Sequence, residues 1–215
     1  MYDIILFDLD GTLTDPKPGI TQCVQYALEK MGIVENDLEK LTTFIGPPLT
    51  ASFKDFYHMN DEEANQALQY YRERFSTIGL YENAVYEGIK ELLEKLQSQG
   101  KMIFVATSKP TIFSIKILEH FGLIGFFKAV IGSELDGTRV EKNEVIEFVL
   151  SQIDQPDLKK IIMVGDRKFD ILGAQENGID VIGVAYGYGS YDELTLAKPT
   201  YIVSTVSELE EILCR

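Results

Sequence analysis

Cationic side chains are scarce in this sequence. Lys and Arg number 20 against 34 Asp and Glu, a formal net charge of −14 over 215 residues. That balance excludes unaided binding to a nucleic-acid polymer or an anionic membrane, because both are polyanions and need clustered positive charge. A small anionic ligand is not excluded, since it answers to the field inside a pocket and not to the total. Cysteine is almost absent. Cys23 and Cys214 are far apart and lack ligand spacing, so neither a disulfide scaffold nor a structural zinc site is expected, and two packing thiols in a reducing compartment are. No window approaches 18 consecutive apolar residues, and the N-terminus has no basic stretch. Neither a membrane span nor a signal peptide is expected, and the chain reads as cytoplasmic. The histidines, His58 and His120, sit in no partnered motif, and no internal repeat or low-complexity linker is present.

What remains is a 45% apolar chain, long enough for one large domain or two small ones. Short apolar runs rich in β-branched residues recur at Ile4–Phe7, Met102–Ala106, Ala129–Ile131, Ile161–Val164, Val181–Ala185 and Tyr201–Val203. Each is too short for a helix and too uniformly apolar for a half-exposed strand, so each predicts a strand buried on both faces. Helical spacings lie between them: Ile89, Leu92, Leu93 and Leu96 before Gly100; Ile112, Ile115 and Leu118 before Gly122; Ile146, Val149 and Ile153 before Pro156. Strands alternating with helices predict an α/β fold on a mainly parallel, Rossmann-like sheet. One stretch, residues 15–81, breaks the alternation with helix alone. It holds a helix over about Gly19–Met31, a Gly46-Pro47-Pro48 breaker, and Asn60-x-x-Glu63 as a capping box. Ala64, Leu68, Tyr71, Phe75 and Ile78 then form one face. The expected plan is an α/β core, 1–14 and 82–215, with an inserted helical-bundle cap.

Asp8-Leu9-Asp10-Gly11-Thr12 follows the first strand directly. In an open α/β sheet, ligands bind beyond the carboxyl ends of strands. Two carboxylates two positions apart would project there, with Gly11 allowing a tight turn. A plain polar turn accounts for Asp10-Gly11 but not for an aspartate that ends an apolar run, and chance gives the pattern on the order of 10⁻³ per chain.

Here the sequence resembles the haloacid dehalogenase superfamily. The resemblance continues through Thr107-Ser108-Lys109 at the end of a later strand and Lys142 some two dozen positions before Asp166. It ends in the acidic stretch Val164-Gly165-Asp166-Arg167-Lys168-Phe169-Asp170. It implies a phosphatase in which Asp8 is the nucleophile that becomes an aspartyl-phosphate and Asp10 the acid and base. Mg²⁺ is implied as cofactor, held by Asp8, the Asp10 backbone carbonyl and Asp166, with Asp170 as a further ligand or a partner for bound water. Thr107, the Ser108 amide and Lys142 are implied to bind the phosphoryl oxygens. The electrostatic logic agrees: a carboxylate approaching a phosphate dianion is repelled unless positive charge and donors neutralise the site. Asn143 stands where many relatives carry proline after the lysine, and Arg139 is the fallback cation.

The helical insert resembles that of members acting on small phosphorylated metabolites, whose cap closes over the site and excludes water. A nucleoside 5′-monophosphate or phosphoglycolate is the expected substrate, with a monomer or weak homodimer as the assembly. Two alternatives stay open, a phosphosugar mutase and a non-catalytic phosphate-responsive regulator. Lys17, Arg72 and Arg74 could meet an anionic leaving group or simply be solvated. Phe44, Phe53, Phe56 and Tyr57 could stack a base, but their spacing fits a cap core better. Tyr186-Gly187-Tyr188-Gly189-Ser190 reads as a plain turn near the mouth of the site.

Overall fold

The computed structural model describes all 215 residues, which divide into two compact units: residues 1–15 with 85–215, and residues 16–84. The strands are β1 (Ile4–Phe7), β2 (Thr14–Asp15), β3 (Ala84–Val85), β4 (Met102–Pro110), β5 (Ala129–Ser133), β6 (Ile161–Gly165), β7 (Asp180–Val184) and β8 (Tyr201–Val203), all in the first unit except Ala84, the last residue of the second. Six of them form one sheet in the order β5-β4-β1-β6-β7-β8, and every neighbouring pair is parallel. The very short β2 and β3 pair with each other where the chain passes between units. The expected runs all become strands, and β4 continues beyond Ala106 to Pro110.

The helices of this unit are α4 (Ile89–Ser98), α5 (Thr111–His120), α6 (Lys142–Ser151), α7 (Lys168–Glu176), α8 (Tyr191–Ala197) and α9 (Val206–Leu213), after α1 to α3 of the second unit. Alternation along the strands assigns them to faces. Ile4 and Leu6 of β1 join Phe104, Ala106, Ile161, Met163 and Val181 in one cluster with Val145, Ile146 and Val149 of α6 and Ile171 and Ala174 of α7. Ile5 and Phe7 point the other way and are equally buried. A strand buried on both faces has no need of polar alternation, which is why these runs read as continuous apolar segments.

The sheet order explains where a ligand site can form. The chain runs from β1 to β4 and β5 on one side, then returns to β6 on the other side of β1. The carboxyl end of β1 therefore lies at the point where the strand order reverses, the crevice that open α/β sheets use for ligands. β4 also changes register against β5 between Ala106 and Pro110, an irregularity of the kind that re-aims side chains at a sheet rim.

The second unit is helical, with α1 (Lys17–Lys30), α2 (Leu49–Tyr57) and α3 (Asp61–Arg74). Asn60 and Glu63 form a reciprocal capping box at the start of α3. The expected single face of α3 breaks at its end. Phe75–Gly79 is a π-helical turn, with Leu80 N–H donating to Phe75 O at 3.0 Å. The extra residue per turn shifts the phase, so Phe75 stays buried while Ile78 is 52% exposed. Phe44 and Phe53 pack edge to face in the core of this unit. No helix in either unit is long and apolar enough to cross a membrane.

Leu6 is fully buried in the central strand. Leu6→Ala is expected to cost about 2–5 kcal/mol in urea unfolding, through lost burial plus a cavity; a cost near zero would contradict this packing.

Candidate active site

Asp8 follows β1, and its N–H still donates to Val164 O of β6 at 2.9 Å. Its backbone is thereby held in the sheet while its side chain reaches past the strand end. Asp166 follows β6, and Asp170 lies in the first turn of α7, where its Oδ2 accepts from Arg167 N–H at 3.0 Å. Oxygen atoms of Asp8, Asp166 and Asp170 lie within 4.8 Å of one another, and all three residues are buried. Into this cluster comes Lys142, the first residue of α6 and only 5% exposed. Its Nζ is 2.8 Å from Asp8 Oδ1, 2.8 Å from Asp170 Oδ1, and donates to Ala106 O at 3.1 Å. The two carboxylate contacts are at ion-pair distance without hydrogen-bond alignment, so both oxygens also count as lacking a hydrogen bond.

Three carboxylates against one ammonium leave a formal charge of −2 when all are ionised. Burial pushes the Asp166 carboxyl well above its ordinary range, and the neighbouring Asp170 and Asp8 push it further. Burial likewise raises Asp170, to about 6, against the pull of Lys142. Burial also works against the charge of Lys142, but Asp170 and Asp8 outweigh it and hold the ammonium above its ordinary range. Asp166 Oδ1 is buried with no hydrogen-bond donor, a costly state for an oxygen unless a cation or water meets it. A donor set made only of hard carboxylate oxygens, with a residual double negative charge, fits Mg²⁺.

Glycines clear the space around these acids. A Cβ on Gly11, which has φ +81°, would fall 2.1 Å from Asp166 Oδ2, and one on Gly165 would fall 2.2 Å from Asp170 Cγ. Gly187 and Gly189 press equally close, at 2.3 Å from Asp166 Cβ and 2.0 Å from Asp166 O. Between them, Tyr188 N–H donates to Asp166 Oδ2 at 2.7 Å. The segment expected to be a plain turn is instead a backbone clamp on Asp166. Its tyrosines are also engaged: Tyr186 Oη donates to Thr12 O at 3.0 Å, and Tyr188 Oη donates to Asp15.

The Asp10 carboxylate does not join the acidic cluster. It is buried, and its Oδ2 lies 2.5 Å from Lys109 Nζ, itself a buried side chain. Burial raises the Asp10 carboxyl while the Lys109 charge opposes the rise. Thr107 is buried in β4, two residues beyond Val105, the register partner of Phe7, and its Oγ1 accepts from Lys109 N–H at 3.3 Å. Ser108 follows it, and its carbonyl accepts from Ser133 Oγ at 2.8 Å. Asp8, Asp166, Asp170 and Lys142 are thus brought together, with Thr107 and Ser108 on the strand beside Asp8. Arg139 is engaged elsewhere, donating to Gly132 O, pairing with Glu134 and lying over the Phe148 ring. In the helical unit, Lys17 pairs with Glu39, and Arg74 with Glu82 and Gln22. Sequence reasoning missed Lys109 as a partner of Asp10. Its signal was a second polar residue two positions after Thr107 in the stretch Thr107-Ser108-Lys109.

This constellation at the reversal point of a parallel sheet defines a class. The chain belongs to the haloacid dehalogenase-like hydrolases, whose family model matches residues 5–184, and it is an enzyme of that family. It is 49% identical over 212 residues to a protein of Pseudomonas aeruginosa named 5′-nucleotidase, covering 99% of this chain and 96% of that one. It is 35% identical to the tyrosine-protein kinase PtkA of Mycobacterium tuberculosis, covering 98% of this chain and 72% of that one. A crystal structure named a predicted phosphatase from Clostridium acetobutylicum superposes with a TM-score of 0.96 at 46% identity, covering 99% and 98% of the two chains.

A cation held by Asp8, Asp166 and Asp170 stabilises the folded state by mass action, by about 2.7 kcal/mol at a hundred times its dissociation constant. Millimolar Mg²⁺ is therefore expected to raise the melting temperature of the wild type and to do much less for Asp166→Asn. Identical melting curves for the wild type with Mg²⁺ and with chelator would overturn the assignment.

Proposed function

We propose that this protein is a Mg²⁺-dependent phosphatase of small phosphomonoesters, with nucleoside 5′-monophosphates as its substrate class. The observation that carries the reading is Asp8, held at the end of β1 with its carboxylate 2.8 Å from the buried ammonium of Lys142 and next to two further buried acids. A nucleophilic carboxylate can approach a phosphate dianion only where its charge and the phosphate's are compensated. Support for the substrate class comes from the 49% identity to a 5′-nucleotidase over nearly the whole of both chains.

On this reading an Asp8 carboxylate oxygen attacks phosphorus. The phosphorus–oxygen bond to the leaving group breaks, and the leaving oxygen takes its electron pair and a proton from Asp10. The product alcohol departs and Asp8 carries the phosphoryl group as an acyl phosphate. Water then gives a proton back to Asp10 and attacks phosphorus, breaking the bond to Asp8 and freeing inorganic phosphate. Thr107, the Ser108 amide and Lys142 bind the phosphoryl oxygens. Mg²⁺, when bound by Asp8, Asp166, Asp170 and the Asp10 carbonyl, supplies the remaining compensation of negative charge.

The relative named as a tyrosine kinase favours a second reading, phosphoryl transfer to a protein hydroxyl in place of water. The decisive experiment measures phosphate release from nucleoside 5′-monophosphates, phosphoglycolate, sugar phosphates and p-nitrophenyl phosphate, with Mg²⁺ and with chelator. Mg²⁺-dependent release, fastest from the nucleotides and reduced on the order of 10⁴-fold or more in Asp8→Asn, is the expected result. Isomerised sugar phosphate without free phosphate would identify a mutase instead. Label passing from ATP to a tyrosine peptide, with no phosphate release, would favour the kinase reading.

A further inference from the structure

Asp10 and Lys109 form a buried ion pair that the acidic cluster does not explain. Lys109 Nζ lies 2.5 Å from Asp10 Oδ2. The other oxygen, Oδ1, is buried and has no hydrogen-bond partner within the protein. A carboxylate normally accepts at both oxygens, and leaving one buried and unpaired costs about 1–3 kcal/mol. The asymmetry is built into the strand. Lys109 lies in the stretch of β4 between Ala106 and Pro110 where the register against β5 changes, so its side chain is aimed by an irregularity of the strand and not by simple alternation. The backbone at Lys109 is equally constrained: a Cβ on Gly132 of β5 would fall 2.1 Å from Lys109 O, so only glycine lets the two strands approach this closely.

We infer that Lys109 is a positioning residue: it anchors Oδ2 of Asp10 so that Oδ1 faces the leaving-group oxygen and carries the transferred proton. The inference deepens the phosphatase reading and rests on it, because it presumes that Asp10 is the acid of the first step. In that step the proton on Oδ1 passes to the leaving oxygen as its bond to phosphorus breaks, and the Asp10 carboxylate so formed stays paired with Lys109. In the second step Oδ1 recovers a proton from the attacking water. Without the anchor the carboxyl can rotate, and correct alignment is lost for a part of the time in both steps.

The leaving group reports on this role. p-Nitrophenolate departs without protonation, whereas the alkoxide of a nucleoside or simple alkyl phosphate does not. Lys109→Met keeps the length of the stem and removes the charge. It is expected to lower kcat/KM, which reports the first step alone, on the order of 10²-fold on an alkyl phosphate and far less on p-nitrophenyl phosphate, with Lys109→Arg recovering part of the loss. In an Asp10→Asn background, adding Lys109→Met is expected to cost nothing further on the alkyl ester. Equal losses on both esters, or losses that add in the double variant, would overturn the inference and make Lys109 a phosphate ligand or a structural cation. If Lys109→Met fails to fold, Lys109→Arg and Asp10→Asn/Lys109→Met carry the same two comparisons. A wild type that releases phosphate from neither ester would overturn the phosphatase reading itself, and this assignment with it.

Discussion

The ammonium of Lys142 is the contact on which the rest of the site depends. Carboxylates up to 4.8 Å apart repel one another by roughly 3 kcal/mol per pair at an effective dielectric constant near 20. Three of them could not all stay ionised and buried without a cation between two. Lys142 occupies an unfavourable place to supply it, because the first residue of a helix sits at the positive end of the helix dipole. Its position is enforced from behind. Gly173 of α7 brings that helix so near α6 that a Cβ would fall 2.9 Å from Asn143 N and 3.1 Å from the Lys142 backbone. Asn177 donates to Asn143 O at 3.1 Å and to Gly173 O at 2.9 Å, tying the two helices at this level. The packing of α6 on α7 thus does for the cation what a strand end does for each acid.

The glycines carry the complementary constraint. Charge compensation works only if the carboxylates approach one another, and they approach only if no side chain intervenes. Gly11, Gly187 and Gly189 come from two separate loops and converge on one residue, Asp166. The loop between β7 and α8 contributes no charge to the cluster. It contributes one amide, from Tyr188, and an absence of bulk.

These particulars explain what was legible in the sequence. The strands were, because burial on both faces writes an apolar run with nothing to confuse it. Asp8 was, because it ends such a run and a strand end is a local feature; Asp166 also ends one, but an aspartate there reads equally as a helix cap, and the family resemblance singled it out. Lys142 could be located only through the family resemblance, since a lysine at a helix start looks like solvated surface. The partner of Asp10 was not legible, because it depends on the pairing of β1 with β4 across nearly a hundred residues of chain. Nor was the purpose of Gly187 and Gly189, which exists only opposite Asp166. The π-helical turn after Arg74 escaped for a different reason. Periodicity assumes a constant rotation per residue, and a hydrogen bond from Leu80 back to Phe75 breaks that assumption without any change in composition.

Buried side-chain oxygens left without hydrogen bonds are gathered here in one place. The core around β1 is apolar and fully packed, and the helical unit has its capping box. Against that background stand buried oxygens without hydrogen bonds on Asp10, Thr12 and Asp166, and two lysines with buried side chains. All of them fall in the loops that follow β1 and β6, at the carboxyl end of β4, or at the helix start that faces them. A fold selected for stability alone would remove each of these features, since every one costs free energy and none adds apolar burial. Their confinement to the point where the strand order reverses is itself the argument for chemistry. The sheet supplies the stability that lets so many unfavourable groups be held in one small volume, ready for a substrate whose charge requires them.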